Sequence, residues 1–367
     1  MRITRAVLAT HVRNVKLLTR QRSLLAQVVV LPVAMLILST MIFGGVGDTY
    51  PIALVNRGED NQARQLEEQV RTVGSDLGPY YRVVETDYAD AKRKLDRGRL
   101  HMLLVIPEDY SDTHRLRMET FNINSDAAKN FRGRLQVVLN HTPVPGASPV
   151  LTEEIQSVKP QDVPRSAYLG GSSVLLALFF GATLIAANLF LIEREGGTRK
   201  EILLTPLHPA VSGLANVVTA TVVSMVLSLL PLGLSYWIAQ LQVPLGRILV
   251  MYLAMIPVLI ACGGLGILLG HWLKVFRSAQ PLLTVGAIAT FFVAGGFTMV
   301  AFLPASAQTF SFWWPFSRIF TWFGPYMHGF DGLGAGRITG LFGAAVIGLL
   351  LLWWAYRGEL RLGADRK

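Results

Sequence analysis

Residues 193–209 read EREGGTRKEILLTPLHP and stand between two long apolar runs. Glu193 and Glu195 end the first run. Gly196 and Gly197 supply a turn, since glycine has no Cβ to clash in unusual backbone conformations. Thr198 stands where a helix cap would stand, and Glu201 follows three residues later, the spacing of a capping box. Arg199 and Lys200 read as mobile surface charges. Ile202, Leu203 and Leu204 form an apolar patch, and Pro206 and Pro209 end the element. The stretch reads as a short capped helix between two membrane spans, with an interfacial loop as the alternative. A phosphate loop fails on two grounds. The preceding element is an apolar run of membrane length rather than a buried strand, and Thr198 precedes Lys200, the wrong order for GxxxxGK[ST]. GGLGILLG (263–270) and GLGAGRITG (332–340) fail similarly, and their glycines suit close helix packing. No nucleotide or other cofactor is expected on this chain.

Working outward, half of the 367 residues are hydrophobic and only 16% are charged, against about a quarter charged in soluble domains. Several apolar runs reach about 20 residues, the length that crosses a bilayer as a helix. The fold expected is a polytopic α-helical membrane protein with six transmembrane helices: 23–46, 168–192, 211–236, 247–270, 281–303 and 336–356. Pro32 kinks the first span, and Gly44 and Gly45 end it. Before it, Ile3, Val7, Leu8, Val12, Val15 and Leu18 alternate with basic residues across 1–22, the pattern of an amphipathic interfacial helix. No cleavable signal peptide is expected.

The net charge of +10 is concentrated at the ends. Arg2, Arg5, Arg13, Lys16, Arg20 and Arg22 precede the first span, and Arg357, Arg361, Arg366 and Lys367 form the 357–367 tail. Lys and Arg flanking membrane spans mark the cytoplasmic side, so both termini are expected inside. Membrane lipids rather than nucleic acid are the partners such clusters suit.

Residues 47–167 carry balanced charge and no span-length run. YPIALVNRG, YYRVVETD, LHMLLVIP and LRMETFNIN read as strands; 61–73, YADAKRKLDRGR and 126–139 read as helices; Pro143, Pro145 and Pro149 mark a break. This alternation predicts an inserted extracytoplasmic α/β domain between the first and second spans. Residues 304–335 contain the aromatic stretch Phe310–Phe330, broken by Pro315, Gly324 and Pro325. It is expected to form short external helices near the outer interface, a re-entrant hairpin being the alternative.

No catalytic constellation is present. The seven histidines are dispersed, HExxH and GxSxG are absent, and no metal site is expected. Cys262, alone, reads as a small core residue. No Asp, Glu, Lys or Arg lies deep in a span, which argues against an ion-coupled carrier.

Glu193, Glu195, Gly197, Thr198, the Leu203–Leu204 pair, Thr205 and Pro206 resemble the signature of ABC-2 type transporter permeases. There a glutamate-rich span end leads into Gly-Thr, an acidic residue, two leucines and Thr-Pro. The acidic residue, often two places after the Gly-Thr, is here Glu201, with Lys200 in the earlier place. The order of elements along the whole chain, and PIALVNRG and LLVIPEDYSD, are also similar to that family. The resemblance implies a permease subunit of an ABC exporter in the cell membrane of a prokaryote. It implies two cytoplasmic ABC ATPase subunits as partners, with Mg-ATP bound only there, and a second permease copy or close relative. Segment 193–210 would be the coupling loop, with Glu193, Glu195, Gly197, Thr198, Glu201, Leu203, Leu204, Thr205 and Pro206 as its ATPase-coupling residues. The N-terminal helix would make a second contact. The pairing seam would involve the first and fifth spans, with Gly286, Gly295 and Gly296 in the fifth. The alternative is a non-transporting membrane anchor or assembly protein whose outer domain binds a partner.

Overall fold

The computed structural model describes residues 2–42, 49–75, 78–123, 125–140, 151–157, 163–273 and 275–357. Two helices open the chain, α1 (Arg2–Arg20) and α2 (Arg22–Ile42), meeting at Gln21 with a bend of 79°. Helix α1 buries Asn14 and Leu18 and exposes Ile3, Leu8 and Val12. An apolar face turned outward is stable where lipid, not water, covers it. Pro32 lies inside α2. Gly44 and Gly45 fall outside the described residues, as do Pro143, Pro145 and Pro149 and positions 358–367 of the tail.

The next elements are β1 (Tyr50–Asn56), α3 (Asn61–Thr72), the two-residue strands β2 (Gly74–Ser75) and β3 (Gly78–Pro79), and β4 (Tyr81–Glu85). They continue with α4 (Tyr88–Asp96), β5 (Met102–Ile106), α5 (Tyr110–Thr113), β6 (Arg115–Thr120), α6 (Ser125–Asn140) and β7 (Leu151–Ser157). Five strands form one sheet in the order β4-β1-β5-β6-β7. Strand β1 is parallel to β4 and β5, β6 is antiparallel to β5, and β7 is parallel to β6. Central strand β5 is buried throughout, which accounts for the unbroken apolar sequence MLLVI. Asp60 and Asp87 cap α3 and α4, accepting from Ala63 N at 2.6 Å and Asp90 N at 2.8 Å. Strand β7, LTEEIQS, has too little apolar content to be read from pattern.

Then α7 (Arg165–Glu195) runs 31 residues, roughly 46 Å at 1.5 Å per residue. It is buried along almost its whole length, as a helix apolar on every side must be. Around it stand α9 (Ala210–Leu227) and α10 (Leu229–Trp237), α11 (Leu245–Leu273), α12 (Phe276–Val293) and α15 (Ala335–Arg357); the short α8 (Thr198–Leu203) follows α7 directly. Between α12 and α15 lie a 3-10 turn at Val300–Phe302, α13 (Ala305–Trp313) and α14 (Ser317–His328). By length and composition, five helical stretches among the described residues are able to cross a membrane, α9 and α10 counting as one; the bent α1–α2 pair brings the number up to six.

The glycines of 263–270 bring helices into contact. A Cβ on Gly264 would fall onto the Gly348 carbonyl of α15, and one on Gly266 onto the Thr183 carbonyl of α7. Cys262 is buried beside them, as a core residue. The fifth span differs from its expected bounds of 281–303. Helix α12 starts at Phe276 and ends at Val293, where Gly295 takes a φ of 94° and turns the chain. Gly295 and Gly296 are therefore not seam glycines of a straight helix. Their surroundings are filled from within, by Val300 and by Phe291 and Phe320, whereas Gly286 faces open space.

The sheet unit shares its core with Tyr168, Leu169, Met299 and Phe330 of the helical part. Phe121 and Phe330 pack with ring centroids 4.7 Å apart. Its seat is thus at the Arg165 end of α7, while Glu193 and α8 lie at the other end.

Candidate functional site

The Glu193 end of α7 is held by a buried polar network. Glu193 is 5% exposed. Its Oε1 accepts from Arg13 Nη2 of α1 and from Ser212 Oγ of α9 at 3.1 Å; its Oε2 accepts from Asn216 Nδ2 of α9 at 3.1 Å. Asn216 Oδ1 in turn accepts from Asn14 Nδ2 at 2.6 Å. Arg13 Nη2 also donates to Asn14 Oδ1 at 2.9 Å. The Thr219 hydroxyl donates to the Ala215 carbonyl at 2.7 Å, so the 2.9 Å contact with His11 Nδ1 requires the ring nitrogen to donate. A carboxylate taken out of water is tolerated when paired and hydrogen-bonded on all sides, and here α1 and α9 together supply those partners.

The register of these elements explains the meeting. At 100° per residue, His11 and Asn14 interrupt the apolar face of α1, the face formed by Val7, Val15 and Leu18. On α9, Ser212, Asn216 and Thr219 recur at i, i+4 and i+7, a polar stripe on an otherwise apolar span. Each set would be costly against lipid; each satisfies the other.

Beyond Glu193 the chain turns. Gly197 has φ 73° and is itself the N-cap of α8. This corrects the capping box expected at Thr198 and Glu201. Thr198 is already the first helical residue, and no side chain caps the helix. Its hydroxyl instead donates backward to the Glu193 carbonyl at 3.2 Å, tying α8 to the end of α7. The expectation that Arg199 is a mobile surface charge is also overturned. Its guanidinium lies over the Phe190 ring, 4.2 Å from the centroid, and 5.2 Å from that of Tyr356 on α15.

Glu195 points elsewhere. Its Oε1 accepts from Phe276 N at 2.7 Å, a charge placed on the N-terminus of α12. Arg194 Nη1 reaches the His271 carbonyl of α11 at 3.3 Å. On the far side of α8, Glu201, Leu204, Thr205 and Pro206 are exposed, Leu204 by 87%. The Thr205 hydroxyl closes the element on the Ile202 carbonyl at 2.7 Å. The Leu203 side chain lies outside the described atoms.

The nine residues singled out in sequence therefore divide. Glu193 faces into the protein, Glu195 stays exposed, and both join helices. Gly197 and Thr198 make the turn. Glu201, Leu204, Thr205 and Pro206 present an outward surface. Sequence reasoning missed Arg13, Asn14, Ser212, Asn216 and Thr219, although polar residues on apolar helix faces were the available signal. Among the described residues, no group of three His, Cys, Asp or Glu side chains is placed to hold a metal ion.

No curated protein matches the chain. A family profile described as "ABC-2 family transporter protein" matches residues 22–356, which include the five long apolar helices, α8 and the sheet unit. A match over so much of the sequence assigns this multi-pass membrane protein, and the chain belongs to the ABC-2 transporter family.

Proposed function

We propose that the chain is the permease subunit of an ATP-driven exporter and that segment 193–210 receives the push of a cytoplasmic ATPase. The observation that carries this reading is the Glu193 joint. One carboxylate holds α1 and α9, and its backbone carbonyl holds the first residue of α8. A displacement of the exposed face of α8 reaches α1 and α9 through Glu193, and α12 through Glu195. Packed interfaces of this kind move as units rather than stretch.

In this reading the basic ends and α8 are cytoplasmic and the sheet unit, at the opposite end of α7, is extracytoplasmic. The translocation path forms between two copies of this chain, or this chain and a close relative, above two ATPase subunits that bind Mg-ATP. Glu201, Leu204, Thr205 and Pro206 touch the ATPase, while Glu193, Glu195, Gly197 and Thr198 position that surface.

Co-purification from native membranes, followed by transport measurements in vesicles, tests the reading. The expected result is an ABC ATPase in the complex and ATP-dependent export. A chain that retains no ATPase, and binds a partner only through its sheet unit, would instead be a membrane anchor or assembly protein.

A further inference from the structure

The order β4-β1-β5 reverses direction at β1: the first crossover leads to one side of β1 and the second returns past it to the other. Open α/β sheets bind ligands at such a switch point, outside the carboxyl ends of the strands. Here that position holds a cavity of about 220 Å³. Arg57 lines it just after β1, Val105, Pro107 and Glu108 at the end of β5, Tyr88 at the start of α4, and Arg117 from β6.

The two guanidinium groups are held in place yet keep donors to spare. Arg57 lies over the Tyr88 ring, 5.1 Å from its centroid, and among the described residues its side chain makes no hydrogen bond or ion pair. The Tyr88 hydroxyl donates to the fully buried Glu119 at 3.1 Å, which fixes the ring beneath Arg57. Glu119 also takes Lys92 Nζ at 2.8 Å and lies 3.3 Å from Arg117 Nη2. Lys92 also pairs with Asp96 at 3.4 Å. Arg117 thus meets Glu119 through Nη2 alone, and its buried Nε–H has no acceptor.

We propose that this cavity binds a small oxyanion, a carboxylate or phosphate group gripped by Arg57 and Arg117, with its carrier against Val105 and Pro107. Guanidinium forks match the planar oxygens of such groups. The volume lies below the roughly 300–1,000 Å³ of drug-sized sites, so the carrier is compact. The site stands whether or not the chain transports.

Calorimetric titration of the full-length protein in detergent tests it, with succinate and inorganic phosphate as probes and sodium chloride at matched ionic strength as control. Expected is saturable one-to-one binding of one probe, absent with chloride, weakened at least tenfold by Arg57→Gln and by Arg117→Gln. Glu108→Gln, which removes the acid of the wall, tightens it. Which probe binds tells a carboxylate site from a phosphate site. Should Arg117→Gln disturb the sheet, Arg57→Gln, on an exposed side chain, still decides. Saturation by neither probe, or binding that Arg57→Gln leaves unchanged, overturns the proposal.

Discussion

Arg13 and Glu193 are 180 residues apart in sequence and form an ion pair across the α1–α7 contact. The glutamate is buried, and the arginine is 42% exposed at its side chain. The pair fastens the amphipathic N-terminal helix to the turn that carries α8. It is also the joint through which, in the function proposed above, a cytoplasmic push enters the membrane.

Removing one partner should cost more than removing both. Glu193→Gln leaves Arg13 without its counter-charge and weakens the acceptor of Ser212 and Asn216. Breaking a fully buried pair costs about 3–5 kcal/mol, and the partial exposure of Arg13 lowers that to about 1–3 kcal/mol. A double-mutant cycle with Arg13→Gln, read by thermal unfolding in detergent, should give a coupling of about 0.5–3 kcal/mol. A coupling of zero would mean that the pair holds nothing.

The turn should be more sensitive at Gly197 than at Thr198. Valine at φ 73° is strained by about 1–3 kcal/mol. Thr198→Ala loses one hydrogen bond to the Glu193 carbonyl, about 0.5–1.5 kcal/mol. Membrane abundance should stay near wild type in both, while retention of the ATPase and transport fall, further for Gly197→Val. Glu201→Lys, on the exposed face, should weaken the complex without changing the stability of the chain alone. Pull-down of the ATPase at matched abundance reads all three.

Substitutions at glycines separate internal packing from open faces. Gly264→Val and Gly348→Val should unfold or mislocalise the protein, because each Cβ meets backbone of the facing helix. Gly343→Val, with open space around it, should not. Gly286→Val tests pairing: its monomer should fold, and loss of the crosslinked dimer would place a second copy against α12. Fluorescence-detected gel filtration with crosslinking distinguishes these outcomes.

The sheet unit should loosen in mild acid. His101 is fully buried, and burial lowers its pKa from 6.5 to about 4. Above pH 6.5 the ring is neutral folded or unfolded, and its contribution is complete. Between about 6.5 and about 4 only the unfolded chain takes the proton, so stability falls by at most about 1.4 kcal/mol per pH unit. Hydrogen exchange of the β5 amides, at pH 7 and at pH 5, should show the loss, and His101→Leu should flatten it.

Both ends of α7 can be addressed chemically. Cysteines at Arg64 in α3 and at Leu204 beyond α8 should label from opposite sides of intact cells. The native Cys262 is buried and should give little background. Labelling of both from one side would refute the proposed topology.

The amino-acid sequence by itself determined the membrane class, the long apolar helices, the ABC-2 signature and most strands of the sheet unit. Each is a local property: composition, a run of about 20 apolar residues, or a short pattern of turns and alternation. It also held half of the joint, since His11 and Asn14 visibly interrupt an apolar helix face and Ser212, Asn216 and Thr219 form a stripe. Only the tertiary structure decided that these meet. The bend at Gln21 turns α1 away from α2, and α1 packs against α9 within reach of Glu193; no periodicity within α1 encodes that placement. The same holds for the motif residues. Spacing placed Thr198 and Glu201 in a capping box, but the positive φ at Gly197 shifted the helix start by one residue and turned the threonine back toward Glu193. Whether a glutamate at a span end faces an ATPase or the protein interior depends on what packs against it, and Arg13, Ser212 and Asn216 draw Glu193 inward.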